Sequence, residues 1–103
     1  MSVGSHRRKV DTSQAGIIAA LRKAGICAHS TAALGNGFPD ICWGYRGLTG
    51  LLEVKTGSTP SDRRLTSAEQ GFGDAWAGCL DVVSTPSEAL GCVVDAAKRW
   101  GAL

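Results

Sequence analysis

The sequence predicts a single α/β domain in which helices pack on a mixed four-stranded sheet. Two observations lead to this prediction. Three short apolar segments follow one amphipathic helix in close succession, as in an antiparallel meander. A helix, a strand and a further helix complete the chain, and that crossover can add the fourth strand parallel to the third. The predicted order of elements is therefore αβββαβα.

Length and composition fit one domain with one modest core. The chain has 103 residues and 44% apolar residues, which argues against disorder. Residues 1–9 lack an apolar pattern and are predicted to be a flexible basic N-terminus, so the predicted domain covers residues 10–103. No apolar segment follows the basic residues as in a secretory signal, and no apolar run could span a bilayer, so we expect a cytoplasmic location.

The first half of the predicted domain begins with a helix. Residues 11–13 each suit an N-cap, apolar residues then recur at helical spacing, and Gly25 suits the helix end. A short strand is predicted at residues 26–29. A loop at residues 30–39 follows, and its glycines are typical either of turns or of a close approach to a bulky ligand.

A hairpin is predicted in the middle of the chain. Its strands are assigned to residues 41–45 and 51–56, with residues 46–50 as the turn. A polar loop at residues 57–64 leads out of the hairpin.

The second half of the chain contains the remaining two helices and the fourth strand. Residues 66–69 have the capping-box form T-x-x-E, which predicts a helix ending near Gly78. Residues 80–84 are the predicted fourth strand. A second capping-box pattern at residues 85–88, with proline at the first helical position, predicts a third helix to about Trp100.

The four cysteines are predicted to be reduced. Their spacing does not match a zinc site, and no C-x-x-C pair occurs. Cys27, Cys42 and Cys92 lie among apolar residues, where a free cysteine behaves as a small hydrophobic side chain. We therefore expect these three in the core.

The stretch from Gly37 to Gly57 contains the charged residues of chemical interest. Glu53 and Lys55 are two residues apart in an apolar strand, so their side chains point to the same face. Asp40 precedes the neighbouring strand. If it opens that strand, the two carboxylates and the ammonium converge on one pocket.

Two interpretations of this set remain open at the level of sequence. Mg²⁺ is commonly held by one or two carboxylates and several waters, and such an ion assists phosphodiester hydrolysis. A lysine beside it can orient water or stabilise developing charge. Alternatively, Glu53 and Lys55 form an ordinary surface ion pair on an edge strand.

The ordered set Pro39-Asp40 followed by Glu53-Val54-Lys55 resembles the PD-(D/E)xK nuclease superfamily. The longer pattern G-F-P-D, L-L-E-V-K, L-T-x-A-E and V-V-S-x-x-x-E-A-L is similar to its small phage-type branch, near the VRR-NUC and Holliday-junction-resolvase-like nucleases. This resemblance covers roughly residues 7–95.

The resemblance implies a fold and an activity. The expected fold is restriction-endonuclease-like, and the expected activity is Mg²⁺- or Mn²⁺-dependent hydrolysis of DNA, with branched or junction DNA as a candidate substrate. It also implies a phage or prophage protein acting in the cytoplasm of a bacterial host. Asp40, Glu53 and the Val54 carbonyl would be metal ligands, and Lys55 would position the attacking water.

Three further residues are candidates through the same resemblance. Gln14 aligns with a first-helix position where many relatives carry glutamate, and a solvent-facing glutamine is the alternative. Glu69 matches a helix position that is often Gln or Glu, and Gln70 is its neighbour. Glu69 also completes the capping box, so both residues are accessory candidates.

The charge distribution and domain size suggest partners. The net charge is only +2, but basic residues cluster in two places and are candidates for DNA binding: Arg7, Arg8, Lys9, Arg63 and Arg64. A solvated tail and a solvated loop are the alternatives. Because one small domain holds one site, cutting both strands of a duplex or junction predicts a homodimer.

Besides a small phage protein that acts by binding a host protein, two further functional alternatives stay open at this stage. One is a non-catalytic nucleic-acid-binding protein that retains the nuclease fold. The other is an RNA substrate in place of DNA.

Overall fold

The computed structural model describes residues 10–57 and 59–102 as a small α/β domain with three helices and a mixed four-stranded sheet. The predicted order αβββαβα is confirmed. The elements are α1 (Gln14–Lys23), β1 (Cys27–Ser30), β2 (Ile41–Tyr45), β3 (Leu48–Val54), α2 (Ser67–Ala75), β4 (Cys79–Val83) and α3 (Pro86–Arg99), with a short 3₁₀ turn at Ala32–Leu34. The predicted flexible segment, residues 1–9, lies outside the described residues. Within the described part, no helix is long and apolar enough to cross a membrane.

The sheet has the strand order β1-β2-β3-β4. The first three strands form an antiparallel meander, and β4 pairs parallel with β3. The parallel pairing requires the crossover through α2, as the sequence predicts. Strand β3 is therefore internal, with a neighbour on both sides.

The main core lies between one sheet face and helices α1 and α3. Its buried members include Ile17 and Leu21 from α1 and Val93 from α3. From the sheet, Trp43 is 1% exposed and lies across Gly50, its cross-strand partner. The opposite sheet face carries α2, which lies over β3 and β4.

Local hydrogen bonds explain where the helices begin. Ser13 is the N-cap of α1, and its hydroxyl accepts a hydrogen bond from the Gly16 N–H. The capping box predicted at the start of α2 is confirmed. The one predicted for α3 is incomplete, because the Glu88 carboxylate accepts from the Ser84 N–H, 2.6 Å away.

The predicted hairpin turn is too long. The turn consists of Arg46 and Gly47, which both have positive φ, so β3 begins at Leu48. Two central residues with positive φ match the twist of paired strands, which allows pairing to continue up to the turn. The strand also ends at Val54, two residues earlier than predicted.

The predicted burial of the cysteines is wrong for Cys27. All four cysteines are free, as expected, but Cys27 is exposed, while Cys42 and Cys92 are half-buried. Cys27 lies on edge strand β1 and points away from the core, on a sheet face that α2 does not cover. Helix α2 also ends earlier than predicted, at Ala75.

We predict that Gly50→Ala destabilises the fold by about 1–3 kcal/mol through overpacking. A Cβ atom at this position would overlap the indole of Trp43, which is buried and cannot move aside. Urea denaturation followed by circular dichroism measures the change. Gly44→Ala is the matched control on β2, because its Cβ would lie 3.8 Å from the nearest neighbouring atom. Equal stability of the two variants would contradict this account.

Candidate active site

The site is located at the ends of β2 and β3. Strand pairing ends with Ile41 opposite Leu52, which places Asp40 beside Glu53. The Val54 N–H donates a hydrogen bond to Oδ2 of Asp40, with a distance of 2.8 Å. The Asp40 carboxylate is thus held directly against β3, and the predicted convergence of these residues is confirmed.

Thr31 positions the segment that carries Asp40. Its N–H donates to the Asp40 carbonyl and its hydroxyl to the Pro39 carbonyl, each at 2.7 Å. No sequence pattern pointed to this residue. A threonine in a loop gives no signal by itself, because its role depends on which strand pairs with β1.

Glu53 is a buried carboxyl group. Only 6% of the residue is exposed, and it belongs to the buried side of an internal strand. Burial raises the pKa of Glu53 to about 8, and hydrogen bonding and like charge from Asp40 and then Glu69 add to this rise. The alternative interpretation of Glu53 and Lys55 as a surface pair on an edge strand is therefore wrong.

Lys55 is held between two carboxylates. Its Nζ lies 2.7 Å from Oε1 of Glu69 and 3.9 Å from Oε2 of Glu53. The hydrogen bond to Glu69 is the main cause that raises the pKa of Lys55 above its ordinary value. The Lys55 N–H donates to the Val83 carbonyl at 2.9 Å, which fixes the backbone just beyond β3.

Glu69 links the site to the start of α2. Its Oε1 accepts from the Thr66 N–H at 2.8 Å, within the capping box, and from Lys55. Burial acts to raise the pKa of Glu69, but the hydrogen bonds from Lys55 and Thr66 outweigh it and lower the pKa to about 2. Glu69 is thus confirmed as part of the helix cap, and its contact with Lys55 places it beside the site, where its accessory role stays a prediction.

The cluster suits a divalent cation. When all four groups are ionised, three carboxylates face one ammonium, and the excess negative charge is what a divalent ion balances. The described residues hold no group of three His, Cys, Asp or Glu side chains arranged for a metal. A set of two carboxylates completed by a carbonyl and water matches Mg²⁺.

The Val54 carbonyl has a suitable direction for this ligand set. The N–H and C=O of one strand residue point to the same side, and the Val54 N–H points at Asp40. The carbonyl therefore lies on the Asp40 side of β3. Asp40, Glu53 and Val54 together fit the ligand set expected from the sequence.

Gln14 does not join the carboxylate cluster. Its Nε2 donates to the Ser30 hydroxyl at 2.6 Å, and Ser30 is the last residue of β1. Gln70 donates instead to Oδ1 of Asp74, within α2, at 2.8 Å. Both candidates therefore have hydrogen-bond partners outside the carboxylate cluster.

The structure gives the candidate DNA-binding residues different surroundings. Arg63 pairs with Glu88 and donates to the Val82 carbonyl, on the outer edge of β4. Arg64 is exposed in the following loop. Arg7, Arg8 and Lys9 lie outside the described residues.

The fold and the site together define a small α/β domain with a carboxylate pair and a lysine at the end of its internal strands. No family model matches the chain, and neither a curated protein nor a solved structure matches it. The arrangement of its own side chains is therefore what supports a function.

We predict that the free energy of unfolding, measured in EDTA, decreases by an amount on the order of a few kcal/mol as the pH rises from about 5 to 8. The pKa of Glu53 is raised on folding, so the folded state binds more protons than the unfolded state in this window. The lowered pKa of Glu69 acts in a different window, because its contribution is lost as the pH falls from about 4.5 to about 2. Urea denaturation across the pH range measures both trends.

Glu53→Gln should remove the fall between pH 5 and 8, since its amide does not titrate. Asp74→Asn is the matched control, an equally conservative change at an exposed carboxylate on α2. If Glu53→Gln kept the pH dependence of the wild type, protonation of Glu53 in the folded state would not be its cause.

Proposed function

We propose that this protein is a metal-dependent nuclease that hydrolyses phosphodiester bonds in DNA. One observation carries the proposal. A buried carboxyl group, Glu53, lies against a second carboxylate, Asp40, with the Lys55 ammonium 3.9 Å away. Buried carboxyl groups with strongly perturbed pKa values beside a cation are typical candidates for functional sites.

Asp40, Glu53 and the Val54 carbonyl would hold Mg²⁺ or Mn²⁺. When bound, the ion would neutralise charge on a phosphate oxygen and make a water more acidic. Binding of the cation would favour ionisation of Glu53. Burial and the neighbouring Asp40 carboxylate oppose that ionisation, and a positive charge offsets both effects.

Lys55 supplies the positive charge of the site. Its side chain shares a face with Glu53 and is only partly buried, so its ammonium can reach a substrate oxygen or an attacking water. Glu69 holds this ammonium in place and stabilises its charged form. Lys55 would thus stabilise the negative charge that develops on the phosphate during hydrolysis.

A second candidate function is non-catalytic nucleic-acid binding. Gln14 favours it, because a neutral amide bonded to Ser30 adds no negative charge to the cation site. Two carboxylates alone hold a divalent ion less tightly than three. Binding without cleavage under every metal condition would select this alternative.

The substrate arrangement follows from the size of the domain. One domain with one site cuts one strand at a time, so cutting both strands of a duplex or a junction calls for a homodimer. DNA is the proposed substrate by resemblance to the phage-type nucleases, and a matched RNA strand tests the alternative.

We predict that Asp40→Asn lowers metal-dependent cleavage by at least about 100-fold. The amide keeps an acceptor for the Val54 N–H, so the fold survives, but it removes the charge that binds the cation. The measurement uses a labelled four-way junction, its linear duplex arms and a matched RNA, with Mg²⁺, Mn²⁺ or EDTA. Asp74→Asn is the control and should cleave normally. Undiminished cleavage by Asp40→Asn would refute the assigned site.

We predict that Glu69→Ala shifts the alkaline limb of the cleavage–pH profile to lower pH. Glu69 raises the pKa of Lys55, so its removal lets the ammonium lose its proton more easily. The variant also loses a capping contact, which costs about 1 kcal/mol of stability. Thr66→Ala separates the two effects, because it weakens the same helix start and leaves the Glu69 carboxylate beside Lys55. Identical profiles for these two variants would exclude a positioning role for Glu69.

A further inference from the structure

The sheet face that carries the carboxylates is covered over only half its width. Over β3 and β4, α2 and the preceding loop leave only a cavity of about 20 Å³, whose lining includes Glu53, Phe72 and Leu80. Over β1 and β2, in contrast, Cys27 and His29 are exposed. A surface therefore leads away from Asp40 along these two strands.

His29 lies one step along this open surface from the site. It pairs with Cys42, which is two residues from Asp40 on the same face of β2. Two residues of strand span about 6.6–6.8 Å. Strand β1 lies about 4.7–4.9 Å to the side of β2, so His29 is about 8 Å from Asp40 diagonally across the sheet, a separation on the scale of one nucleotide.

Arg22 places a fixed positive charge at the same position. Its Nε donates to the Ala28 carbonyl at 2.9 Å, and its Nη2 lies 3.5 Å from Nδ1 of His29. These contacts hold the guanidinium against the free edge of β1 and leave other N–H groups of its fork available. Such a fork is suited to a phosphate, and little side-chain freedom is lost when it binds.

The surface continues beyond this pair. Cys27, Gly44 and Thr49 form the next row of small side chains, at the edge of an open cavity of about 460 Å³. Because Gly44 has no side chain, nothing protrudes from the sheet surface at this position.

From this geometry we infer that Arg22, with His29, binds the phosphate adjacent to the scissile one, on a strand that lies along β1 and β2. The inference rests on the proposed nuclease function and adds the position and direction of the substrate strand. Arg22 thereby offsets the repulsion between the carboxylate cluster and the substrate backbone. It acts in binding and does not contact the reacting atoms.

The first test compares Arg22→Ala with Arg99→Ala. Both remove an arginine from the last turn of a helix, but Arg22 reaches the free edge of β1, whereas Arg99 lies on α3 near β4, at the other side of the sheet. Binding is measured by fluorescence anisotropy in EDTA over a series of KCl concentrations, on the substrate that the wild type cleaves. Arg22→Ala should weaken binding about tenfold and reduce the slope of log K against log[salt] by about one phosphate contact. Arg99→Ala should leave both quantities unchanged.

Kinetics and a conservative variant separate binding from structure. Arg22→Ala should raise KM while single-turnover cleavage at saturation stays at the wild-type rate. Arg22→Lys should restore the salt slope, because it keeps the charge, and recover only part of the affinity, because it lacks the fork. Thermal unfolding of each variant checks that the fold is retained.

The decisive test neutralises single phosphates in the substrate. Two substrates carry one methylphosphonate, on either side of the mapped cleavage position. With one of them, wild type and Arg22→Ala should bind equally, because the partner of Arg22 is already removed. A persistent difference on both substrates, or equal behaviour of Arg22→Ala and Arg99→Ala, would overturn the inference while cleavage by the wild type upholds the proposed function. Absence of both cleavage and binding by the wild type would overturn the two together.

Discussion

The hydrogen bond from the Val54 N–H to the Asp40 carboxylate is the contact on which the site depends. Backbone pairing of β2 with β3 ends one residue earlier, at Ile41 and Leu52. At the next position a side chain takes the N–H that strand pairing would otherwise use. The carboxylate is thereby fixed against β3 and next to Glu53. The strand pairing that forms the sheet therefore also positions the residues of the site.

The position of Glu53 carries a cost that the rest of the cluster offsets. A carboxylate at the end of an internal apolar strand loses hydration, and a second carboxylate beside it opposes its ionisation. A proton, or a cation of the proposed kind, relieves both penalties. Sites that violate the ordinary rules of burial are often functional, which is why this cluster supports the proposed activity better than any other feature of the chain does.

Helix α2 packs over one side of the site and contacts it through its first turn. It has no buried residues, and its attachments include the edge-to-face contact of Phe38 with Phe72, whose ring centroids lie 5.0 Å apart. At Gly37, φ is positive and the backbone packs directly against Ala68, where a side chain would not fit. Through Glu69 the first turn of this helix also holds Lys55. The helix therefore covers the β3 side of the site and leaves the β1 side open.

The sequence by itself determined the order of the elements, the N-caps of α2 and α3 and the shared face of Glu53 and Lys55. These features depend on local rules: helical spacing, capping chemistry and the alternation of side chains along a strand. Alternation alone placed Glu53 and Lys55 on one face. Only the tertiary structure decided that β3 is internal, that Glu53 is buried and that Cys27 is exposed, because burial depends on which elements cover each strand. The contacts of Thr31 with Asp40 and of Arg22 with His29 likewise follow from strand register and helix packing, which no local sequence pattern specifies.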